Sequence, residues 1–222
     1  MDEEGERRKL LVWDAPTRLF HWLLAVLVLA AYVTYRLNWV FSHVLAGEAV
    51  LALVLFRILW GFLGSETTRF TSFVATPGSV ARYLADVLRG RASLPVGHNP
   101  AGGWMILLML ALLLGETVSG VFVNNDVASV GPMSDMMSAG TMNLMTELHR
   151  LFWDALAASV ALHLLAILYY AVALRQNLLW PMITGRIRAP GSEPPPRLAG
   201  WRRAAWLFTC GVLAAAAIVN YL

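Results

Sequence analysis

Apolar residues run through this chain in five long blocks, at about 18–37, 43–63, 102–123, 148–173 and 202–222. Each block is close to the ~20 residues that an α-helix needs to cross a ~30 Å hydrocarbon core, so each predicts a membrane-spanning helix. The polar break at 38–42 is so short that the first two helices form a tight antiparallel hairpin. The break at 64–101 is long and basic. Within it, Pro77 opens a stretch to Leu88 that sets Val80, Tyr83, Leu84, Val87 and Leu88 on one side, with Arg82 and Arg89 elsewhere. That is the pattern of a short interfacial helix. Residues 124–146 form a loop with Asp126, Asp135 and many Met, Ser and Gly residues, and Glu147 follows it. Residues 174–201, around Pro194–Pro196, read as a connector. The expected fold is an all-α integral membrane protein. It has a four-helix transmembrane bundle within residues 1–190, then a linker and a fifth, C-terminal transmembrane helix within 191–222.

Composition sharpens this. The chain is 58% hydrophobic and 14% charged, whereas soluble domains are about 45–50% apolar and about 25% charged. A basic start ahead of an apolar run suits a signal peptide. Here the run is long, lacks a following small-residue cleavage site and contains His21, so a retained helix is expected. Lysine and arginine concentrate on the N-terminal flank (Arg7, Arg8, Lys9, Arg18), on 64–101 (Arg69, Arg82, Arg89, Arg91) and on 174–203 (Arg175, Arg186, Arg188, Arg197, Arg202, Arg203). The opposite side offers Arg36 and Arg150. Basic residues favour the cytoplasmic side. The expectation is a multi-pass protein of the bacterial cytoplasmic (inner) membrane, N-terminus cytoplasmic and C-terminus periplasmic. Nothing in the chain reads as a nucleic-acid site. A single cysteine, Cys210, excludes an intrachain disulfide, a cysteine-ligated iron–sulfur cluster and a CxxCH haem attachment.

The histidines carry the candidate chemistry. His149 and His163 are fourteen residues apart on the fourth block, nearly four helical turns and a rise of about 21 Å. Both project from one face, near opposite sides of the membrane. In the orientation above, His21 lies near the inner end of helix one and His43 near the outer end of helix two. The level pairs are then His21 with His163 and His43 with His149. Four histidines on three helices at two depths point to two bis-histidine haem b sites, inner and outer. Such a haem has no open coordination position and suits one-electron transfer. The plainer reading of each histidine alone is a polar residue satisfied within a bundle. A single metal site shared by all four fails, since levels ~21 Å apart cannot meet metal–nitrogen distances of about 2.1 Å.

Other residues fit around these pairs in more than one way. His98 reads as a loop residue or one beside a haem propionate. Arg57 suits a propionate of the inner haem. Arg36 serves the outer haem or snorkels to the headgroups. Gly47, one turn after His43, leaves a flat surface for a macrocycle or allows close helix packing. Glu48 and Glu116 relay protons to a quinone or form helix–helix hydrogen bonds.

Six stretches carry a family resemblance: VWDAPTRLFHW (12–22), SHVLAGEAVLALVLFRILWGFLG (42–64), GHNPAGGWMILLML (97–110), GVFVNND (120–126), ELHRLFWDALAASVALH (147–163) and NLLWPMITGR (177–186). In this order they resemble the bacterial cytochrome b561 family, particularly the b-type cytochrome subunits that anchor nickel–iron hydrogenases. The resemblance implies haem ligands at His21, His43, His149 and His163, with the same pairing. It also implies a dihaem electron-transport cytochrome of a respiratory chain, exchanging electrons with quinone or quinol and with a periplasmic redox protein, hydrogenase or cytochrome in type. A free-standing quinone oxidoreductase acting on a small redox substrate and a non-redox membrane anchor are the alternatives, and whether the chain is itself an enzyme stays open. Many relatives stop after four helices. The fifth helix here is expected outside the haem bundle, as a contact for a partner, a surface for a homodimer or an extra anchor.

Overall fold

The computed structural model describes residues 8–91, 97–125, 129–130 and 138–221. Arg7, Asp126 and Asp135 lie outside the described residues. Five helices are long and apolar enough to cross a membrane: α1 (Ala15–Arg36), α2 (Val40–Leu63), α5 (Pro100–Gly120), α6 (Ala139–Val172) and α8 (Trp201–Tyr221). Between them lie α3 (Phe70–Phe73), α4 (Pro77–Leu88) and α7 (Leu179–Thr184), with the strands β1 (Arg8–Leu11), β2 (Asn124–Asn125), β3 (Ser129–Val130) and β4 (Arg186–Ala189). The all-α membrane architecture is thus present, with two short antiparallel pairings added to it.

Sequence signals set the helix ends. Asp14 accepts the Thr17 N–H at 2.6 Å and caps α1, satisfying one of the donors that a helix start leaves unpaired. Thr76 with Pro77 does the same for α4, and Asn99 with Pro100 for α5. Asn38 takes a left-handed conformation, φ 59°, between α1 and α2, a conformation asparagine tolerates better than most residues, and this makes the expected tight hairpin. The long helix α6 starts at Ala139 rather than near 148, so about a third of the expected loop at 124–146 is helical. Its 34 residues reach about 50 Å, well beyond a ~30 Å core.

The described residues group into two compact units, one of Met1–Leu19, Trp60–Leu107 and Ala161–Ala204, the other of Phe20–Leu59, Leu108–Val160 and Ala205–Leu222. In the first unit, β1 pairs antiparallel with β4, Leu10 opposite Ile187 and Lys9 opposite Arg188. Leu10, Val12, Trp13 and Ala189 form its small core. Gly185 takes φ 79°, and a Cβ there would stand 2.6 Å from the Trp13 carbonyl, so only glycine fits. Residues 186–199 are not a free connector. Glu66 and Arg197 exchange hydrogen bonds, and Ala199 donates to Ser65 Oγ at 2.8 Å. Trp60, fully buried, donates to Thr17 Oγ1 at 3.1 Å.

Helix α4, expected at the membrane interface, packs on the protein through a narrow face. Val87 is buried, while Leu84 and Leu88 are exposed. The Tyr83 and Tyr170 hydroxyls meet at 2.6 Å. Burial, then the Tyr170 hydroxyl, pushes the Tyr83 phenol above its ordinary value. A raised phenol favours the folded state while protonated, so its contribution is complete below about pH 10 and is lost as pH rises towards the raised value. Tyr83→Phe should remove this alkaline component of a thermal-melt pH profile and cost about 1–2 kcal/mol at neutral pH, because Tyr170 loses its partner.

In the second unit, α8 packs directly on α2. Gly211 allows it: a Cβ there would lie 2.9 Å from both the Ala52 carbonyl oxygen and the Phe56 nitrogen. Leu51, Ala52 and Ala215 form the seam, and Phe56 meets Phe208 edge-on at 6.0 Å. Backbone atoms cannot yield as a side chain does. Gly211→Val should therefore lower the melting temperature and raise Cys210 reactivity towards maleimide, since overpacking of this kind costs about 1–3 kcal/mol or more.

Candidate functional site

The best-defined site lies in the second unit, where α1, α2, α5 and α6 each contribute. His43 stands one turn into α2 and His149 well inside α6. Their ring centres are 6.3 Å apart and their planes nearly perpendicular, at 87°. The His43 Nδ1 lies 2.9 Å from the Ala31 carbonyl oxygen. His149 Nδ1 lies 2.8 Å from the Glu116 carbonyl oxygen. A carbonyl accepts only, so each Nδ1 carries a proton; His43 Nε2 keeps its lone pair, and His149 Nε2 keeps its own when the facing Glu116 carboxyl holds the proton between them. That is the tautomer a metal-ligating histidine needs.

The separation suits a metal between the rings. An imidazole nitrogen binds a metal at about 2.0–2.1 Å and lies about 1.1 Å from its ring centre, so two rings facing across one atom stand about 6.3 Å apart. A haem iron held by His43 and His149 would need such a separation, and the two rings have it. Gly47 adds room. Among the described residues nothing lies within 4 Å of a Cβ built there, so none of them packs closely on this glycine. Gly120 does approach closely: its Cβ would lie 3.0 Å from His149 Cε1. Gly115 likewise admits the Phe152 ring, at 2.7 Å. Tyr32 stacks on Trp153 at 5.2 Å, which ties α1 to α6.

Glu116 engages His149 twice, through its carbonyl and through its carboxylate Oε1, 3.3 Å from Nε2. Of the two readings of Glu116, the helix–helix contact is the one seen. Its carboxylate must turn aside for Nε2 to ligate a metal, whereas the carbonyl bond can stay.

The other predicted site residues are placed as follows. His21 is half-buried on α1, its ring 5.2 Å from Trp22. His163 is half-buried on α6. The two belong to different units. Arg57 is buried, 3% exposed, on α2. Arg36, the last residue of α1, is exposed, as a snorkelling residue would be. Glu48 is half-buried. In the first unit His98 lies between Trp13 and Phe73, with ring centres at 4.4 and 4.6 Å. This aromatic clamp was not foreseen. Nor were the carbonyls of Ala31 and Glu116 or the role of Gly120. Carbonyls leave no trace in a sequence, and Gly120, although it opens the stretch GVFVNND, carries no sign there of what packs on it.

The comparisons with known proteins follow the same residues. The family model of prokaryotic cytochrome b561 matches residues 12–185. A probable Ni/Fe-hydrogenase B-type cytochrome subunit of Bradyrhizobium diazoefficiens is 23% identical, over 83% of this chain and 90% of its own length. The protein of the same description from Rhizobium leguminosarum bv. viciae is 21% identical, over 81% and 89%. No solved structure matches the chain. The match begins just ahead of α1 and ends after α6, so α8 lies beyond it. With most of its length and four of its five spanning helices inside that match, the chain belongs to the prokaryotic cytochrome b561 family.

Proposed function

We propose that this protein is a dihaem b-type cytochrome that carries electrons across the bacterial inner membrane, between the quinone pool and a periplasmic redox protein. The observation that carries the reading is the His43–His149 pair. Its ring separation of 6.3 Å and its two carbonyl-held Nδ1 atoms suit axial ligation of an outer haem. Bound there, haem b supplies reversible one-electron transfer. The chain's own part is to fix both imidazoles in the ligating tautomer and to leave a flat surface at Gly47. With one cysteine in the chain, non-covalent contacts must hold the group.

The inner haem, between His21 and His163, rests on helix spacing and on the family, as does Arg57 as its propionate partner. The relatives are described as hydrogenase cytochrome subunits, which supports a hydrogenase-type partner. Orientation rests on basic residues: Arg8, Lys9, Arg186 and Arg188 come together in the β1–β4 pair, as a cytoplasmic surface would have them.

An anaerobic titration of the purified protein with a short-chain quinol tests the quinone link. Reduction of both haems is expected. Haems that dithionite reduces and quinol does not would contradict it, and would leave a conduit fed by proteins alone.

A further inference from the structure

The C-terminal end of α2 carries an open cleft of about 390 Å³ lined by Phe62, Leu63, Arg69 and Arg203. The carbonyls of Leu63 and Gly64 hold the two arginines. Arg69 Nε donates to the Gly64 oxygen at 3.0 Å, and Arg203 Nη1 to the Leu63 oxygen at 3.2 Å. A helix leaves its last carbonyls without intrahelical partners, so these two consecutive peptide groups position both guanidinium groups from one point of the backbone. Arg69 keeps all its Nη donors and Arg203 most of its own. Neither forms an ion pair with a carboxylate among the described residues.

The apolar side of the cleft faces outward. Phe62 is 62% exposed and Leu63 52%. Trp201 and Trp206, near the start of α8, are also exposed. Since α2 ends and α8 begins here, the cleft stands at headgroup level, with indoles where interfacial aromatics belong. Two fixed guanidinium groups match a phosphodiester, which arginine grips through paired N–H donors, and the exposed Phe62 and Leu63 match the acyl chains beneath it.

We propose that this cleft binds an anionic phospholipid, its phosphate between Arg69 and Arg203. Zwitterionic lipids carry the same phosphate beside their own cation, and so gain less from two arginines. A basic residue at an anionic membrane surface is worth about fivefold in partitioning, so the pair is worth about 25-fold.

The test is native mass spectrometry of the full-length protein in detergent, titrated with phosphatidylglycerol, phosphatidylcholine or inorganic phosphate. Phosphatidylglycerol should be retained at least tenfold more strongly than phosphatidylcholine, with no stable phosphate adduct. The R69Q/R203Q variant should lose that preference, while R202Q, which changes the neighbouring exposed arginine by the same charge, should keep it. Equal retention of the two lipids by the unaltered protein would overturn the proposal without any variant. So would an inorganic phosphate adduct of equal strength, or equal loss of preference in R202Q and R69Q/R203Q.

Discussion

His43→Ala and His149→Ala should each reduce bound haem from two per chain to one. Both imidazoles lean on backbone carbonyls, of Ala31 and Glu116, so neither holds its position through the other. In the proposed site each is one of the two iron ligands, and Cys210 offers no covalent substitute. Removing either leaves packing alone to retain the group. His163→Ala should produce the complementary loss, the inner haem absent and the outer largely kept. His98→Ala is the control. That ring packs between Trp13 and Phe73, and its removal should leave haem content unchanged. Pyridine haemochrome assays count the haem in the four variants, and low-temperature spectra of the intact proteins distinguish which haem remains. Equal loss of both haems from each histidine variant would count against two independent sites.

Gly47→Leu should leave the protein folded and without its outer haem. No described residue stands within 4 Å of a Cβ at Gly47, so the larger side chain has room. It lies one turn from His43, where the macrocycle is proposed to rest. The contrast is Gly211, where a Cβ meets the α2 backbone at 2.9 Å and a similar change should damage the fold itself. Helical circular dichroism should therefore be normal for Gly47→Leu and the haem count reduced by one. A Gly47→Leu protein with both haems would mean that this glycine faces something else.

The spanning helices were legible because a bilayer demands about twenty apolar residues in a row, a requirement that composition alone reveals. What lay outside that demand was harder to read. The first nine residues of α6, Ala139–Glu147, are polar and Met-rich, so helix beyond the membrane left no hydropathy signal. β1 and β4 are four residues each, both partly charged, and pair across most of the chain. Their pairing is non-local and too short for a periodic pattern. The docking of α8 on α2 turns on one glycine whose neighbours become visible only when the two backbones are together. At the site, the helix directions set by the basic residues made His43 and His149 a level pair. Their tautomers depend on carbonyls, which every residue has and no sequence distinguishes.

Two bis-histidine haems in one chain would show in the haem b content of the purified protein, taken together with a low-temperature electron paramagnetic resonance spectrum of the oxidised form. Two haem b per chain are expected, both low-spin. A chain that binds no haem, or a spectrum dominated by high-spin iron, would contradict this.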